Sequence, residues 1–340
     1  MAVVGATGMV GAELLRVLEA RRFPASRLLP FSSGSARKSV TFRGRRLQAP
    51  AVDRAALAAC DLVFFVSADE VSESLAPGLA ASGVWVIDDS SAFRLDKNVP
   101  LVIPEVNAAA LAPSRRLIAG PNCTMTGLAV AGLALHRRWG ATEIRVASYQ
   151  AVSGAGKAAL REFLSQNRAL GATLALDSER APVFRAPRSF ALPAPISCNV
   201  FPQVGSFDPT GYSSEENKVA SELRKVWNAP ALKISVTAVR VPVVRGHSLA
   251  AWLRFKRPVS VVEARRLLKK APGLELLPEG RYPTPLSAAG KGPVYAGRLR
   301  AGVDARELCL WIVSDNLLKG AALNSVQIAE ELLRRGWLRA

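Results

Sequence analysis

The sequence has few of the residues from which metal centres, disulfide frameworks and membrane anchors are built. Its 340 residues hold four cysteines, Cys60, Cys123, Cys198 and Cys309, none in Cys-x-x-Cys spacing, and two histidines, His136 and His247. A disulfide scaffold and a zinc site of ordinary ligand spacing are thereby excluded, and no metal is expected. No apolar run free of charges and turn residues is long enough to cross a bilayer. The chain starts directly in a strand pattern, with no basic leader or cleavage site, which points to the cytoplasm. So short a strand ahead of the first glycines leaves room for a few native residues before Met1.

Carboxylates are also scarce. Against 45 Lys and Arg stand 27 Asp and Glu, a net charge of +18. The excess comes as short pairs along the whole chain, such as Arg21-Arg22, Arg45-Arg46, Arg115-Arg116 and Arg334-Arg335. There is no basic tail, zinc-finger spacing or RNA-binding aromatic motif, so neither nucleic acid nor a membrane is an expected partner. A field of this sign does attract polyanions such as phosphorylated nucleotides.

What is present is the rhythm of a two-domain α/β protein. Ala2–Val4 is a short first strand, and Val10, Leu14, Val17 and Leu18 line one helical face behind it. Between them VVGATGMVG places Gly5, Gly8 and Gly11 in a GxxGxxG turn, with Ala6, Thr7, Met9 and Val10 around it. Such a turn lets backbone N–H groups approach a pyrophosphate at a helix N-terminus. This is the signature of an N-terminal Rossmann-type dinucleotide-binding domain. Leu62–Val66 and Val84–Ile87 read as further buried strands of the same unit. Beyond it, Ile144–Ala151, Ile234–Val241, Ser248–Phe255 and Leu308–Ser314 read as strands of an α+β domain. Ser260 and Glu263 have capping-box spacing before a helix over Val261–Lys270. Residues 170–212 are rich in Pro, Ser and Gly and predict a long irregular excursion. Ala322, Val326, Ala329 and Leu333 predict a long helix returning to the first domain.

Two segments carry chemistry. AGPNCTMTGLAVAGLAL, residues 119–135, sets Cys123 after a turn and at the mouth of a small apolar helix. Unpaired N–H groups and the positive dipole end predict a thiol biased toward thiolate. RVPVVRGHSLAAWLRF sets His247 at the boundary of two strand-like runs. A thiol, an imidazole and a nucleotide motif suggest a dehydrogenase working through a thioester. The stretch after the second strand, Leu29 to Lys38, carries hydroxyls and cations but no carboxylate, which favours NADP over NAD. Cys60, Cys198 and Cys309 read as packing residues, and His136 as a structural partner of a helix C-terminus.

Five segments in this order, VVGATGMVG, PNCT, SYQAVSGAGK (148–157), RVPVVRGHS (240–248) and SDNLLKGAALNSVQIAEEL (314–332), resemble the aspartate-β-semialdehyde dehydrogenase family over nearly the whole chain. The resemblance implies NADP-dependent reductive dephosphorylation of L-aspartyl-4-phosphate to L-aspartate 4-semialdehyde, with release of inorganic phosphate. This step leads toward lysine, threonine and methionine. It also implies a homodimer. An NADP-binding domain of residues 1–121, completed by 317–340, would flank a catalytic and dimerisation domain of residues 122–316. By the same resemblance Cys123 is the nucleophile, His247 the general acid/base and Gln150 the residue that orients the substrate. Arg240 would clamp the substrate carboxylate, Arg94 and Lys218 its phosphate, and Glu215 its amino group, with Asn122 shaping the phosphate site. Ser153 and Gly154 would approach the nicotinamide, and Ser32, Arg37, Asn316 and Gln327 would also touch the cofactor.

Duller readings stand beside these: Arg240 as a strand-surface cation, Arg94 as a loop charge, Gln150 as a strand-end amide, Glu215 and Lys218 as an exposed helical pair. The chain departs from the family at Gly34, where an arginine commonly grips the 2′-phosphate, with Arg37 and Lys38 nearby in compensation. The nearest enzymatic rival is an N-acetyl-γ-glutamyl-phosphate reductase, whose cysteine follows Pro-Gly rather than the Pro-Asn found here. A glyceraldehyde-phosphate dehydrogenase would show Ser-Cys-Thr-Thr, which is absent. A catalytically silent paralogue serving as a scaffold or binding protein is the alternative of a different class.

Overall fold

The computed structural model describes residues 1–32, 38–171 and 188–338. In chain order the first half runs β1 (Ala2–Val4), α1 (Met9–Ala20), β2 (Leu29–Phe31), β3 (Lys38–Phe42), β4 (Arg45–Ala49) and α2 (Arg54–Ala58). It continues with β5 (Leu62–Phe65), α3 (Asp69–Ala81), β6 (Trp85–Asp88), α4 (Pro104–Asn107) and β7 (Leu117–Ala119). The second half opens with α5 (Cys123–Trp139), β8 (Ala141–Gln150), α6 (Gly156–Gly171), α7 (Ser214–Val226) and β9 (Lys233–Arg240). There follow β10 (His247–Phe255), α8 (Val261–Leu268), β11 (Leu274–Leu276), α9 (Pro285–Ala288), β12 (Val294–Ala301) and β13 (Glu307–Ser314). A π-helical turn, Leu318–Ala322, leads into α10 (Leu323–Arg334).

Strands β2-β1-β5-β6-β7 form a parallel sheet in that order. Its central strands are short and buried on both faces, so they read as continuous apolar runs such as Leu62–Phe65. The second sheet, β11-β12-β13-β10-β8-β9, is mixed, with β8 antiparallel to β10 and parallel to β9. Helix α10 buries Val326, Ala329 and Leu332 in one cluster with Leu14, Leu18 and Trp85, so the chain end does return to the first sheet. This is the Rossmann-type plus α+β architecture that the sequence predicts.

Helix α5 lies between the sheets and is buried on nearly all sides from Thr124 to Gly132. That explains a run so short of charge: a helix enclosed all round has no polar face to keep. Met125, Leu128 and Leu135 share a single apolar cluster with Val4 and Phe65 of the first sheet and Leu249 and Ile312 of the second. The thiol-bearing helix is thus held by both halves of the chain.

Some expectations change. The described part of 170–212 contains the end of α6 and isolated bridges only, in keeping with an irregular excursion; residues 172–187 lie outside the described residues. Cys60 and Cys309 are buried, but Cys198 is exposed and left-handed, with φ of 52°, so it is no packing residue. His136 is structural in another way than expected. Its Nδ1 accepts the Ala141 N–H at 3.2 Å and its ring stacks on Trp227, while burial pushes its pKa down. A neutral acceptor cannot serve as a cation at the helix end.

Candidate active site

Register brings the site together. Gln150 and Arg240 are the last residues of the parallel pair β8 and β9, and they face each other across it. His247 is the first residue of antiparallel β10 and pairs with Ser314, the last of β13. All four therefore sit at one end of the mixed sheet. The parallel sheet presents the carboxyl ends of its strands to the same place, with Gly5, Val66, Asp89 and Gly120 just past β1, β5, β6 and β7. Ligand crevices of open α/β sheets lie at such ends.

Cys123 opens α5. The preceding Asn122 caps the helix, its Oδ1 accepting N–H bonds from Thr124 and Met125 at 2.9 Å each. The Cys123 Sγ lies 3.5 Å from His247 Nε2. On the far side of the ring the Ala151 N–H donates to Nδ1 at 3.1 Å. A nitrogen that accepts carries no proton, so the neutral ring holds its proton on Nε2, facing the sulfur. The backbone of the π-turn closes over the thiol. A Cβ on Gly320 would come within 2.7 Å of the Cys123 Cβ, so only glycine fits there.

Charged side chains gather round this pair. Glu215 accepts from Asn122 Nδ2 at 3.0 Å, Thr124 Oγ1 at 3.0 Å and Gln150 Nε2 at 3.1 Å. It is a hub rather than half of an exposed helical pair. Arg240 is buried and donates to the Ala151 carbonyl at 2.7 Å, which removes the surface-cation reading. Arg94 is buried too, donating to Glu222 at 3.1 Å and to the Asp89 carbonyl at 2.7 Å, with its Nε free of any partner among the described residues. A cavity of about 220 Å³ is lined by Cys123, Asn122, Arg94, Ser153, Gly154 and Asn316. Ser153 and Asn316 bond each other at 3.1 Å, and Asn316 accepts the Gly246 N–H at 2.9 Å, so both are anchored next to His247. Lys218 does not line this cavity; behind hydrogen bonds from Ser91, its charge helps hold the Asp69 carboxyl below its usual range.

Electrostatics correct one expectation. Burial pushes the Cys123 thiol up to about 12, and the Glu215 carboxylate pushes the same way, against Arg94 and Arg240. Burial likewise pushes the His247 ring down to about 3, with Arg240 adding to the effect. The dipole at the helix mouth is outweighed by loss of water. The resting pair is neutral thiol and neutral imidazole. Alkylation of Cys123 by iodoacetamide, followed by peptide mass spectrometry, is accordingly expected to climb with pH above about 9. A plateau already reached below neutral pH would show a stable thiolate and contradict this.

At the glycine loop, Gly5 has φ of +86°, and a Cβ there would lie 2.5 Å from the Val66 carbonyl. Gly8 is the N-cap of α1. Thr7, Gly8 and Ala6 line cavities next to that helix mouth, and Val10 reaches the thiol cavity. A bare, positively polarised helix mouth of this shape fits a dinucleotide pyrophosphate. Met9 starts α1, and Ser32 is buried with its N–H on the Pro50 carbonyl at 2.8 Å. Arg37 and Gly34 lie outside the described residues. Gln327 is not at the cavity. It accepts from Lys319 at 2.7 Å and donates to Glu105 at 2.9 Å, tying α10 to α4, so the cofactor role expected of it is withdrawn.

Two carboxylates went unmarked in the sequence. Glu222 lies two turns after Glu215 on α7, holds Arg94 and accepts the Asn122 N–H at 2.6 Å. That spacing, which puts both on one helix face, was the available signal. Asp89 borders the cavity with its Oδ2 shielded and unpartnered among the described residues, and burial raises its pKa to about 6. No local pattern marks it.

Known proteins similar to this chain share its fold and domain order. Residues 1–114 match the family described as semialdehyde dehydrogenase, NAD binding domain, and residues 132–319 its dimerisation domain. The chain is 40% identical over 338 residues to the aspartate-semialdehyde dehydrogenase of Bacillus subtilis (strain 168), covering 98% of this chain and 96% of that one. The chain belongs to the aspartate-semialdehyde dehydrogenase family. Among solved structures, aspartate semialdehyde dehydrogenase II from Vibrio cholerae superposes with a TM-score of 0.92 at 36% identity, covering 98% of each chain. The complex of that protein with ASA gives 0.91 at 36% identity, over 98% of this chain and 97% of that one. As an aspartate-semialdehyde dehydrogenase relative the chain is an oxidoreductase with a nucleotide-binding domain. Among its described residues no helix is long and apolar enough to cross a membrane, and no acidic, histidine or cysteine cluster is suited to a metal.

Proposed function

We propose that the chain reduces L-aspartyl-4-phosphate to L-aspartate 4-semialdehyde with NADPH, through a thioester on Cys123, and releases inorganic phosphate. The observation that carries this reading is the thiol at a helix mouth, 3.5 Å from an imidazole and open to a cavity lined by Arg94. Sγ attacks the acyl carbon, the C–O bond to phosphate breaks, and the thiol proton leaves with the phosphate. Arg94 and Lys218 neutralise that leaving group, and the buried Nε of Arg94, unpartnered among the described residues, is a donor for it. Arg240 takes the substrate carboxylate, Glu215 the ammonium, and Gln150, held by Glu215, turns the acyl group toward the sulfur. Asn122 fixes Cys123 and shapes the phosphate side.

The nicotinamide supplies a hydride to the acyl carbon when bound. The oxyanion so formed accepts a hydrogen bond from the Nε2–H of His247. As it collapses to the aldehyde the C–S bond breaks, and the sulfur takes one proton passed through Nε2, which water replaces so that the ring stays neutral. Ser153, Gly154 and Asn316 border the space on the other side of the thiol and would steady the nicotinamide. The glycine loop would hold the pyrophosphate, and the cations after β2 favour NADP over NAD. We divide the chain into an NADP-binding unit of residues 1–121, completed by 317–340, and a catalytic unit of 122–316 that pairs two chains as a homodimer. A free thiol of this kind suits the cytoplasm.

The test runs the reaction backward with aspartate semialdehyde, phosphate and NADP⁺, following the reduced cofactor by absorbance. Turnover is expected with this aldehyde and not with N-acetylglutamate semialdehyde. The opposite preference would move the chain to the acetylglutamyl-phosphate branch.

A further inference from the structure

Two cavities flank the glycine loop, and the same two lysines line both. One, of about 460 Å³, runs from Ala6 and Thr7 past Arg16 to Lys38 and Lys157. The other, of about 610 Å³, runs over Gly5 and Gly8 to Lys38, Lys157 and Arg161. Lys38 is the first residue of β3, just after the β2 segment where a dinucleotide site meets the adenosine ribose. Lys157 comes from the other side, in the first turn of α6, and donates to the Thr7 carbonyl at 2.7 Å. An ammonium has three donors, so that bond leaves two for a ligand.

The local charge balance is one-sided. Lys38 and Arg161 make no ion pair among the described residues, whereas Arg16 is already held by Glu13 at 2.8 Å. Arg161 follows Lys157 by one helical turn and so shares its face. Among the described residues Glu19 is the one carboxylate on these walls, and it accepts the Arg43 backbone N–H. No carboxylate stands at the end of β2 itself to take a ribose hydroxyl pair.

We propose that Lys38 and Lys157, backed by Arg161, are the specificity-determining residues for the cofactor, closing on the 2′-phosphate of NADP from the two halves of the chain. The inference rests on the reading of the glycine loop as an NADP site, and to Lys38, which lies beside Gly34 in the sequence, it adds Lys157 and Arg161 from the second half of the chain.

Equilibrium binding of NADP⁺ and NAD⁺ to the full chain, read by calorimetry, tests this for the wild type, Lys157→Met, Lys38→Met and the double variant. Losing one charge-assisted contact is expected to weaken NADP⁺ about tenfold or more per lysine. NAD⁺ binding should stay within about twofold, which also reports that the variants are folded. The wild-type preference should shrink as salt rises, since these cations are exposed. Equal weakening of both nucleotides would place the lysines on the pyrophosphate and overturn the proposal. Unchanged NADP⁺ binding in the double variant would overturn it as well. A wild type that binds NAD⁺ as tightly as NADP⁺ would instead remove the NADP reading on which the proposal rests.

Discussion

Cys123→Ala is expected to stop NADPH formation from aspartate semialdehyde, phosphate and NADP⁺, a loss on the order of 10⁴-fold or more, while Cys198→Ala keeps it. The asymmetry follows from placement. Of the four sulfurs only that of Cys123 borders the cavity shared by Arg94 and Asn316. Cys60 and Cys309 are buried away from it, and Cys198 is exposed. The alanine removes only the sulfur from a residue whose Cβ already abuts Gly320, so the fold should survive with its thermal transition nearly unmoved. Equal activity in the two variants, measured by absorbance under the same conditions, would end the nucleophile assignment.

His247→Gln is expected to lower kcat by about 10²- to 10⁴-fold with KM for the aldehyde little changed. The ring makes no contact that holds the substrate carboxylate or ammonium in this account; those belong to Arg240 and Glu215. Its part is the proton on Nε2, fixed there because Nδ1 accepts from Ala151. A glutamine amide offers an oxygen to that N–H but cannot pass a proton, so binding stays and turnover falls. A large rise in KM with kcat intact would instead make the residue a substrate ligand. Steady-state kinetics in both directions separates the two.

How much of this was legible in the sequence depends on how local each signal is. The glycine turn, the thiol at a helix mouth and the imidazole at a strand start are set by a few adjacent residues, and each lies where its pattern puts it. The C-terminal helix is equally legible from Ala322, Val326, Ala329 and Leu333 at helical spacing, although Leu332 rather than Leu333 is the buried residue of its last turn. Strand β12 was not, because its pairing with β13 slips between Gly297 and Arg300, and Arg298 there has φ of 51°, which breaks the alternation of side chains. Helix α6 begins inside the turn that follows Ser153, and that turn hides the spacing of Ala159, Phe163 and Leu170 behind it.

The electrostatics are the least legible part. A helix mouth predicts a thiolate, yet burial and Glu215 move Cys123 the other way. Neither term is visible without the fold, because the sulfur loses its water to the π-turn at Gly320 and meets a carboxylate from α7. Glu222, which holds both Arg94 and the backbone of Asn122, acts across 100 residues of chain. Gln327 failed in the opposite sense. A motif placed it by the cofactor, whereas the buried ammonium of Lys319 claims it. An uncompensated buried cation is costly, so the nearest acceptors are committed to it.

The most direct test mixes the chain with aspartate semialdehyde and NADP⁺ in the absence of phosphate, and then maps its peptides by mass spectrometry. With no phosphate to release the acyl group, the account expects one equivalent of reduced cofactor per chain and an aspartyl group on the peptide that carries Cys123. A chain that turns over in the complete mixture, yet gives no such burst and an unmodified Cys123 here, would contradict it.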